Sequence, residues 1–207
     1  MNDKTDNNLL GIVLAAGKGS RFGNLPKGLL PIENTTFLER IIGNMRVAGL
    51  RNITTVLGYQ REEVLQSLPE LKDYVINSAP ERGMLSSIHT GMIKINDSHS
   101  GILLTMVDYP LIDEKTYRLL IEAHEKSPDS IITPSFKRKS GHPVLFPKSL
   151  LYELRKCPLS EGAVKVVRKN SDRRKFVDVL DSGINININS KEEYERHIGP
   201  FTEDKWK

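Results

Sequence analysis

The sequence alternates between short, unbroken apolar runs and longer segments with helical spacing, and this alternation limits the folds that the chain can adopt. Residues 9–16 form an apolar run that ends at Gly17, and residues 101–107 form another that ends at Asp108. Such runs are typical of strands that are buried on both faces of a parallel sheet. Residues 37–50 instead repeat apolar side chains at helical spacing. The alternation therefore predicts βαβ units and an α/β fold.

The same reading along the chain predicts a full set of elements. The predicted strands are residues 9–16, 52–57, 74–77, 101–107, 130–134, 143–146, 176–180 and 184–188, and the predicted helices are residues 37–50, 62–68, 84–95, 113–125, 160–169 and 190–197. The expected helix caps are Thr36 with Glu39, Asp113, Ser160, and Ser190 with Glu193. These elements predict a Rossmann-like, doubly wound, three-layer sandwich with a mostly parallel, mixed sheet. We expect one domain over residues 1–207, with flexible tails at 1–8 and 200–207.

Composition excludes several classes of protein. The only cysteine, Cys157, rules out an internal disulfide framework and favours a reducing compartment. No stretch approaches the roughly 18 apolar residues that a membrane helix needs, so we expect a cytoplasmic protein with no membrane partner. Residues 161–175 carry six cations and two carboxylates, which equals the net charge of +4 of the whole chain. A solvated helix face is the favoured interpretation of this basic cluster and an anion site the alternative; aromatic residues at only 6% disfavour nucleic acid.

A glycine-rich segment follows the first predicted strand. Gly17, Gly19 and Gly23 let the backbone turn its N–H groups toward an anion, and Lys18, Arg21 and Lys27 add positive charge. The P-loop pattern is absent, and the dinucleotide fingerprint fails because position 22 is Phe. The second predicted strand is followed by Gly58 and Tyr59, without the acid that an NAD site requires. A tight turn is the alternative interpretation, but the three cations favour a phosphate site.

This segment resembles a known family. The run Leu14-Ala15-Ala16-Gly17, followed by Arg21, Gly23, Pro26-Lys27 and Leu30, is similar to the signature of the MobA-like nucleotidyltransferases, and within them most similar to molybdenum cofactor cytidylyltransferases. The resemblance, which extends roughly from residue 10 to residue 198, implies that the nucleotide is bound by Leu14, Ala15, Ala16, Gly17, Lys18, Gly19, Ser20, Arg21 and Lys27. It also implies that Ala16 selects CTP, because guanylyltransferases of the family have Ala-Gly-Gly here.

Two further motifs follow in the order of that family. Gly83, Ser86 and Ser87 open a predicted helix and resemble the nucleoside-binding segment, although a serine at this place can also be a simple helix cap. Asp108 ends a buried strand and precedes Tyr109 and a Pro-Leu pair. A carboxylate there suits Mg²⁺, which prefers one or two carboxylates plus phosphate oxygens. The alternative is an aspartate that only turns the chain.

The last two motifs concern the acceptor and the metal. The segment from Gly141 to Val144 resembles a substrate contact of the cytidylyltransferase-like branch, and it implies acceptor binding by His142 together with Tyr109. Asn187 and Asn189 stand where relatives of that branch have two aspartates, and the guanylyltransferase branch has two asparagines. Asn189 is the expected second Mg²⁺ ligand. The branch signals therefore conflict, because Ala16 and His142 indicate CTP whereas the two asparagines indicate GTP.

Together these features predict a Mg²⁺-dependent nucleotidyltransferase. It would move CMP from CTP onto an acceptor phosphate such as that of molybdopterin and release pyrophosphate, with Lys27, Arg21 and Asp108 as the catalytic residues. Transient contact with a molybdoenzyme or its chaperone is an expected partner interaction. The alternatives are a sugar phosphate or other small ester as the acceptor, GTP as the donor, or a non-catalytic module that delivers a nucleotide or cofactor.

Overall fold

The computed structural model describes residues 8–23 and 25–201. Within them the strands are β1 (Leu9–Ala15), β2 (Pro31–Ile32), β3 (Thr35–Thr36), β4 (Asn52–Leu57), β5 (Tyr74–Ile76), β6 (Gly101–Met106), β7 (Ile131–Phe136), β8 (Lys139–Ser140), β9 (Val144–Pro147) and β10 (Arg174–Asp178). The helices are α1 (Phe37–Val47), α2 (Arg61–Ser67), α3 (Met84–Gly91), α4 (Glu114–Lys126), α5 (Leu151–Lys156), α6 (Gly162–Lys169) and α7 (Lys191–His197).

The main sheet of the described chain is mixed and mostly parallel, as predicted. Its strand order is β10-β7-β9-β6-β1-β4-β5, with β8 added to β7. Strand β9 runs antiparallel to both β6 and β7, and β8 runs antiparallel to β7, whereas β1 is parallel to β4 and β6. The carboxyl ends of β1, β4, β6 and β7 therefore meet at one edge of the sheet. In open α/β sheets this is the edge where ligands bind.

Helices cover both faces of the sheet, which confirms the three-layer architecture. Alternate residues of β1 point to opposite faces, so Val13 belongs to the core under α1, α4 and α7, and Ile12 to the core under α3, α5 and α6. Gly91 is required for this packing, because a Cβ there would lie 2.7 Å from Cγ2 of Ile12. No helix within residues 8–23 and 25–201 is long and apolar enough to cross a membrane.

The helix caps are mostly as predicted. Thr36 and Glu39 form both hydrogen bonds of a capping box at α1, and Asp113 accepts from the Lys115 N–H at α4. Ser190 caps α7 by accepting from the Glu193 N–H. The second half of that predicted box is wrong, because the Glu193 carboxylate accepts from the N–H of Asn189 instead.

Two predictions of secondary structure are wrong. Residues 184–188 are not a strand: Ser182–Asn185 is a 3₁₀ helix, because the Asp181 carboxylate accepts the Gly183 N–H and bends the chain. Helix α6 begins at Gly162 with no side-chain cap, so Ser160 is not its N-cap. The β2–β3 hairpin and α5 were not predicted. Most of the predicted flexible tails, residues 1–7 and 202–207, lie outside the described residues.

Candidate active site

The glycine-rich loop turns away from the end of β1 and forms one wall of a cleft of about 500 Å³. Gly19 has a φ of 63°, and a Cβ there would lie 2.2 Å from the carbonyl oxygen of Leu25, so glycine is required. The buried ring of Phe22 fixes the following 3₁₀ turn to the core. The backbone N–H groups of residues 17–20 donate to no other described residue. They are thus available to an anion.

Most of the predicted site residues line this cleft. They are Leu14, Ala15, Ala16, Gly17, Lys18, Gly19, Ser20, Arg21, Lys27, Gly83, Ser87, Asp108 and Asn189. The predicted contacts Ser86, Tyr109 and His142 lie outside the lining. The fold therefore brings the loop after β1, the start of α3, the end of β6 and the segment before α7 to one place.

Lys27 connects the two predicted metal ligands. Its Nζ donates to Oδ1 of Asn189 and lies 3.6 Å from Oδ2 of Asp108. The side chains of Lys27 and Asp108 are only 19% and 16% exposed. Burial lowers the pKa of Lys27, and the attraction of Asp108 only partly opposes this effect. The ammonium group is thus held in a partly desolvated position, where its charge acts strongly on a bound anion.

Backbone hydrogen bonds hold Asn189 in this position. The N–H of Ile188 donates to the carbonyl oxygen of Asp108 over 2.8 Å, which joins the segment before α7 to the end of β6. The N–H of Asn189 donates to Oε2 of Glu193 over 2.6 Å. Glu193 is itself in the first turn of α7. Three sequence-distant residues, Lys27, Asp108 and Asn189, therefore form one cluster with a fixed backbone.

The oxygen atoms of this cluster fit a hard divalent cation. Oδ1 of Asp108 is buried and has no hydrogen-bond partner, which is costly unless a ligand uses it. A carboxylate and an amide oxygen are suitable ligands for Mg²⁺. The described residues contain no group of three or more His, Cys, Asp or Glu side chains that can hold a metal. The remaining ligands would then be phosphate and water oxygens, as is usual for Mg²⁺.

The sequence did not predict a second wall of the cleft, formed by Tyr59 and Gln60 after β4. Nε2 of Gln60 donates to the carbonyl oxygen of Lys18 over 2.7 Å and so fixes the glycine-rich loop. A Cβ on Gly58 would lie 2.7 Å from the carbonyl oxygen of Ala16, so the two chain segments are in close contact. The sequence signal for this wall is the Gly58-Tyr59 pair at the carboxyl end of a strand, the edge where ligands bind in open α/β sheets.

The two serines of α3 differ in position. Nδ2 of Asn77 donates to Oγ of Ser86 over 2.9 Å and to Oγ of Ser87 over 3.0 Å, and both serines are buried. Ser86 also donates to the carbonyl oxygen of Gly83 over 2.8 Å. Neither serine is the N-cap of α3, because that position is Gly83. Ser87 lines the cleft, whereas Ser86 joins the start of α3 to Asn77.

Tyr109 and His142 lie beside Asp108, at the same edge of the sheet but outside the lining of the cleft. Their ring centroids are 4.7 Å apart, and the N–H of His142 donates to the carbonyl oxygen of Ile184 over 3.0 Å. Burial lowers the pKa of His142, and the charge of Asp108 opposes this. Nδ1 of His142 is buried without a hydrogen-bond partner. The imidazole is therefore a neutral group at neutral pH with one ring nitrogen available.

The basic cluster of residues 161–175 is largely paired within the protein. Lys165 forms an ion pair with Glu161, and Nζ of Lys169 lies 2.8 Å from Oε1 of Glu153. Arg173 donates to the carbonyl oxygen of Asp129 over 2.6 Å. The structure thus supports the interpretation as a solvated helix face.

The sheet, the glycine-rich loop and the cleft together define an α/β protein with the Rossmann-like fold of nucleotidyltransferases. Residues 11–174 match the MobA-like NTP transferase domain, and the chain belongs to this family. The resemblance inferred from the sequence motifs is therefore confirmed at the level of the family.

Known proteins share parts of the sequence and most of the fold. GlmU of Thermotoga petrophila is 32% identical over 137 residues, which are 63% of this chain and 29% of GlmU. The chain thus spans less than a third of the GlmU proteins that it matches. Nicotine blue oxidoreductase of Paenarthrobacter nicotinovorans is 31% identical over 148 residues, or 68% of this chain and 71% of that protein. Rv0371c of Mycobacterium tuberculosis superimposes with a TM-score of 0.77 at 26% identity, over 93% of this chain and 97% of Rv0371c. A manganese complex of Rv0371C has a TM-score of 0.74 at 25% identity, over 93% and 98% of the two chains.

Proposed function

We propose that the protein is a Mg²⁺-dependent nucleotidyltransferase that moves CMP from CTP onto the phosphate of a molybdopterin-type acceptor. The observation that carries the proposal is the position of Lys27, which contacts both Asn189 and Asp108 inside a cleft walled by free backbone N–H groups. Membership of the NTP transferase family supports the reaction class. The choice of CTP and of the acceptor rests on the motif resemblance.

In the proposed reaction, an oxygen of the acceptor phosphate attacks the α-phosphorus of the nucleotide. The bond from that phosphorus to the bridging oxygen breaks, and pyrophosphate leaves. The acceptor is already an anion, so no general base is needed, and catalysis consists of positioning and charge neutralisation. Lys27 and Arg21 neutralise the charge of the phosphates, and Lys18 adds a further positive charge. The loop N–H groups orient the phosphates. Asp108 and Asn189 would hold Mg²⁺, which supplies further charge neutralisation when bound.

Two features support CTP as the donor. Ala16 lines the cleft with its side chain against Gly58, in the position where the resemblance places base selection. His142 lies next to Asp108, where the cytidylyltransferase-like branch has its substrate contact. Ser87 and Gly83 would contact the nucleoside from the start of α3. Asn189, which favours the guanylyltransferase branch, is the reason to test GTP beside CTP.

A sugar phosphate is the second candidate acceptor, and the identity of 32% with GlmU over 137 residues favours it. A redox function like that named for nicotine blue oxidoreductase is less well supported. No carboxylate follows β4, where a nicotinamide dinucleotide site of this architecture has one, and Gly58, Tyr59 and Gln60 occupy that place.

Thermal unfolding with Mg²⁺ and each of CTP, GTP, ATP and UTP tests the donor. A ligand present at 100 times its Kd stabilises the folded protein by about 2.7 kcal/mol, which shifts Tm by roughly 5–10 °C for a chain of this size. We expect a Mg²⁺-dependent shift with CTP alone. A shift with GTP alone would contradict the role of Ala16, and a shift with UTP alone would favour the sugar phosphate. No shift with any nucleotide would contradict the proposal.

A further inference from the structure

The hairpin between β7 and β8 carries three consecutive cations at its tip, Lys137, Arg138 and Lys139, which we call the cationic tip. All three are exposed. Within residues 8–23 and 25–201, none of them forms an ion pair; Lys137 lies over the ring of Phe136 at 5.2 Å. This distinguishes the tip from residues 161–175, where carboxylates neutralise several of the cations. The cationic tip is therefore an uncompensated positive patch.

The backbone of the tip has an unfavourable conformation for its residues. Lys137 and Arg138 are the two turn residues of the hairpin, and their φ angles are 49° and 66°. Two-residue turns with positive φ at both positions strongly prefer Asn-Gly, because the Cβ of most other residues lies too close to the following carbonyl oxygen there. Strained residues that persist in a structure concentrate at functional sites. The two cations are thus at positions where stability alone favours other residues.

The fold places the cationic tip at the same edge of the sheet as the cleft. Strands β6 and β7 are both antiparallel to β9, so their carboxyl ends point the same way. One strand separates β7 from β6, which puts the hairpin about 10 Å along the sheet edge from the Asp108 end of β6. His142 and Tyr109 border the space between the hairpin and the Asp108 end of β6.

The base of the hairpin is fixed against the segment that leads to Asn189. Nδ2 of Asn185 donates to the carbonyl oxygen of Lys139 over 3.3 Å, and a Cβ on Gly141 would lie 2.1 Å from the carbonyl oxygen of Ile184. Between tip and cleft, Nδ1 of His142 and Oδ1 of Asp108 are buried polar atoms without partners. A ligand that extends past His142 would satisfy Nδ1 of that ring and reach the cations, while Oδ1 of Asp108 is left for the divalent cation.

We infer that the cationic tip binds a second anionic group of the acceptor, about 10 Å along the sheet edge from the Asp108 end of β6. This inference rests on the proposed function, since it extends the acceptor side of the same site. It defines the acceptor class as an elongated phosphate ester with a second anionic group beyond the phosphate, which in molybdopterin would be the dithiolate. A sugar 1-phosphate, with one anionic group, would leave the tip unused.

The test uses the full chain labelled with ¹⁵N and inorganic pyrophosphate as the anionic probe, in the presence of Mg²⁺ and CTP. The variant Lys137→Gln/Arg138→Gln/Lys139→Gln removes the cations and keeps unbranched polar side chains. The control Lys165→Gln/Arg168→Gln/Lys169→Gln removes the same charge from the basic cluster. We expect pyrophosphate to shift the amide resonances of residues 137–142, with affinity about tenfold weaker in the first variant and unchanged in the control.

Resonances at the tip that do not move, or that move no more than those of residues 165–169, would overturn the inference. Failure of the proposed function is seen separately, because it leaves the amides of residues 17–21 unmoved when Mg²⁺ and CTP are added. With molybdopterin as acceptor, the tip variant should raise the KM for molybdopterin about tenfold without changing the KM for CTP. An equal rise in both would contradict a role limited to the acceptor.

Discussion

Replacing Lys27 with Met removes the ammonium group from the centre of the site and keeps an unbranched side chain of similar length. The ammonium lies 3.6 Å from a carboxylate oxygen of Asp108. At an effective dielectric constant of about 20, a charge pair at roughly 4 Å attracts by about 4 kcal/mol before desolvation is subtracted. The same attraction acts on phosphate charge that develops in the transition state. Loss of one such group typically costs about 2.7–4 kcal/mol, so kcat/KM should fall by about 10²–10³.

Stability should change far less than activity. The pKa of Lys27 is lowered in the folded protein because burial outweighs the attraction of Asp108, so the charged form does not favour folding. The Lys27→Met substitution removes one hydrogen bond to Asn189. This loss lowers the free energy of unfolding by about 1 kcal/mol, which lowers Tm by roughly 2–4 °C. The unfolded chain holds this proton more tightly than the folded protein. Wild-type stability therefore rises with pH between the two pKa values of Lys27, and the variant lacks that rise.

Steady-state kinetics and thermal unfolding of the same preparations measure both effects. Lys148→Met is the matched control, because Lys27 and Lys148 each begin a 3₁₀ helix, at Lys27–Leu29 and Lys148–Leu150, and Nζ of Lys148 donates to the carbonyl oxygen of Asp97. The control should keep wild-type activity. A Lys27→Met enzyme that retains more than a tenth of wild-type kcat/KM would refute the role of Lys27.

Three further predictions concern the metal, the loop and the pH dependence. Asn189→Ala should raise the Mg²⁺ concentration needed for half-maximal rate, and Asn189→Asp should lower it; an unchanged Mg²⁺ titration in both variants would exclude Asn189 as a ligand. Gln60→Met keeps side-chain length but removes the donor to the Lys18 carbonyl, and should raise the KM for the nucleotide about fivefold with little change in kcat, the loss of roughly one hydrogen bond. A fall in kcat alone would contradict this loop-positioning role. Burial lowers the pKa of His124, so the unfolded chain binds more protons and stability should fall as the pH drops through about 6.5 and below; a His124→Gln variant with the same acid dependence of Tm as the wild type would contradict this assignment.

The sequence predicted the central strands because they are buried on both faces. The runs at residues 9–16 and 101–107 are mostly apolar and lack the polar face that a surface helix shows. They form β1 and β6, which lie in the middle of the sheet. The alternating Ile and Asn residues of 184–188 predicted a strand from a different pattern, the period-two alternation of a half-buried strand. That prediction failed because Asp181 and the close approach of Gly183 to Leu111 bend the chain, and tertiary contacts of this kind leave no local pattern.

The candidate site was predicted as a set of residues but not as an arrangement. Lys27, Asp108 and Asn189 were each identified from their motifs, and the fold places them together. Their mutual contact depends on the sheet order and on the Ile188–Asp108 hydrogen bond, which no spacing in the sequence reveals. Gln60 was missed because its role depends on a left-handed backbone conformation and a partner 42 residues away. The cationic tip was missed because its importance comes from its place at the sheet edge.

Transfer of labelled nucleotide tests the account most directly. The enzyme is incubated with Mg²⁺, molybdopterin and, in turn, each of the four ribonucleoside triphosphates labelled at the α-phosphate, and the pterin product and pyrophosphate are quantified. We expect label on the pterin from CTP, one pyrophosphate per label transferred, and loss of transfer in Lys27→Met. Absence of label on the pterin from every nucleotide, with or without release of pyrophosphate, would contradict it.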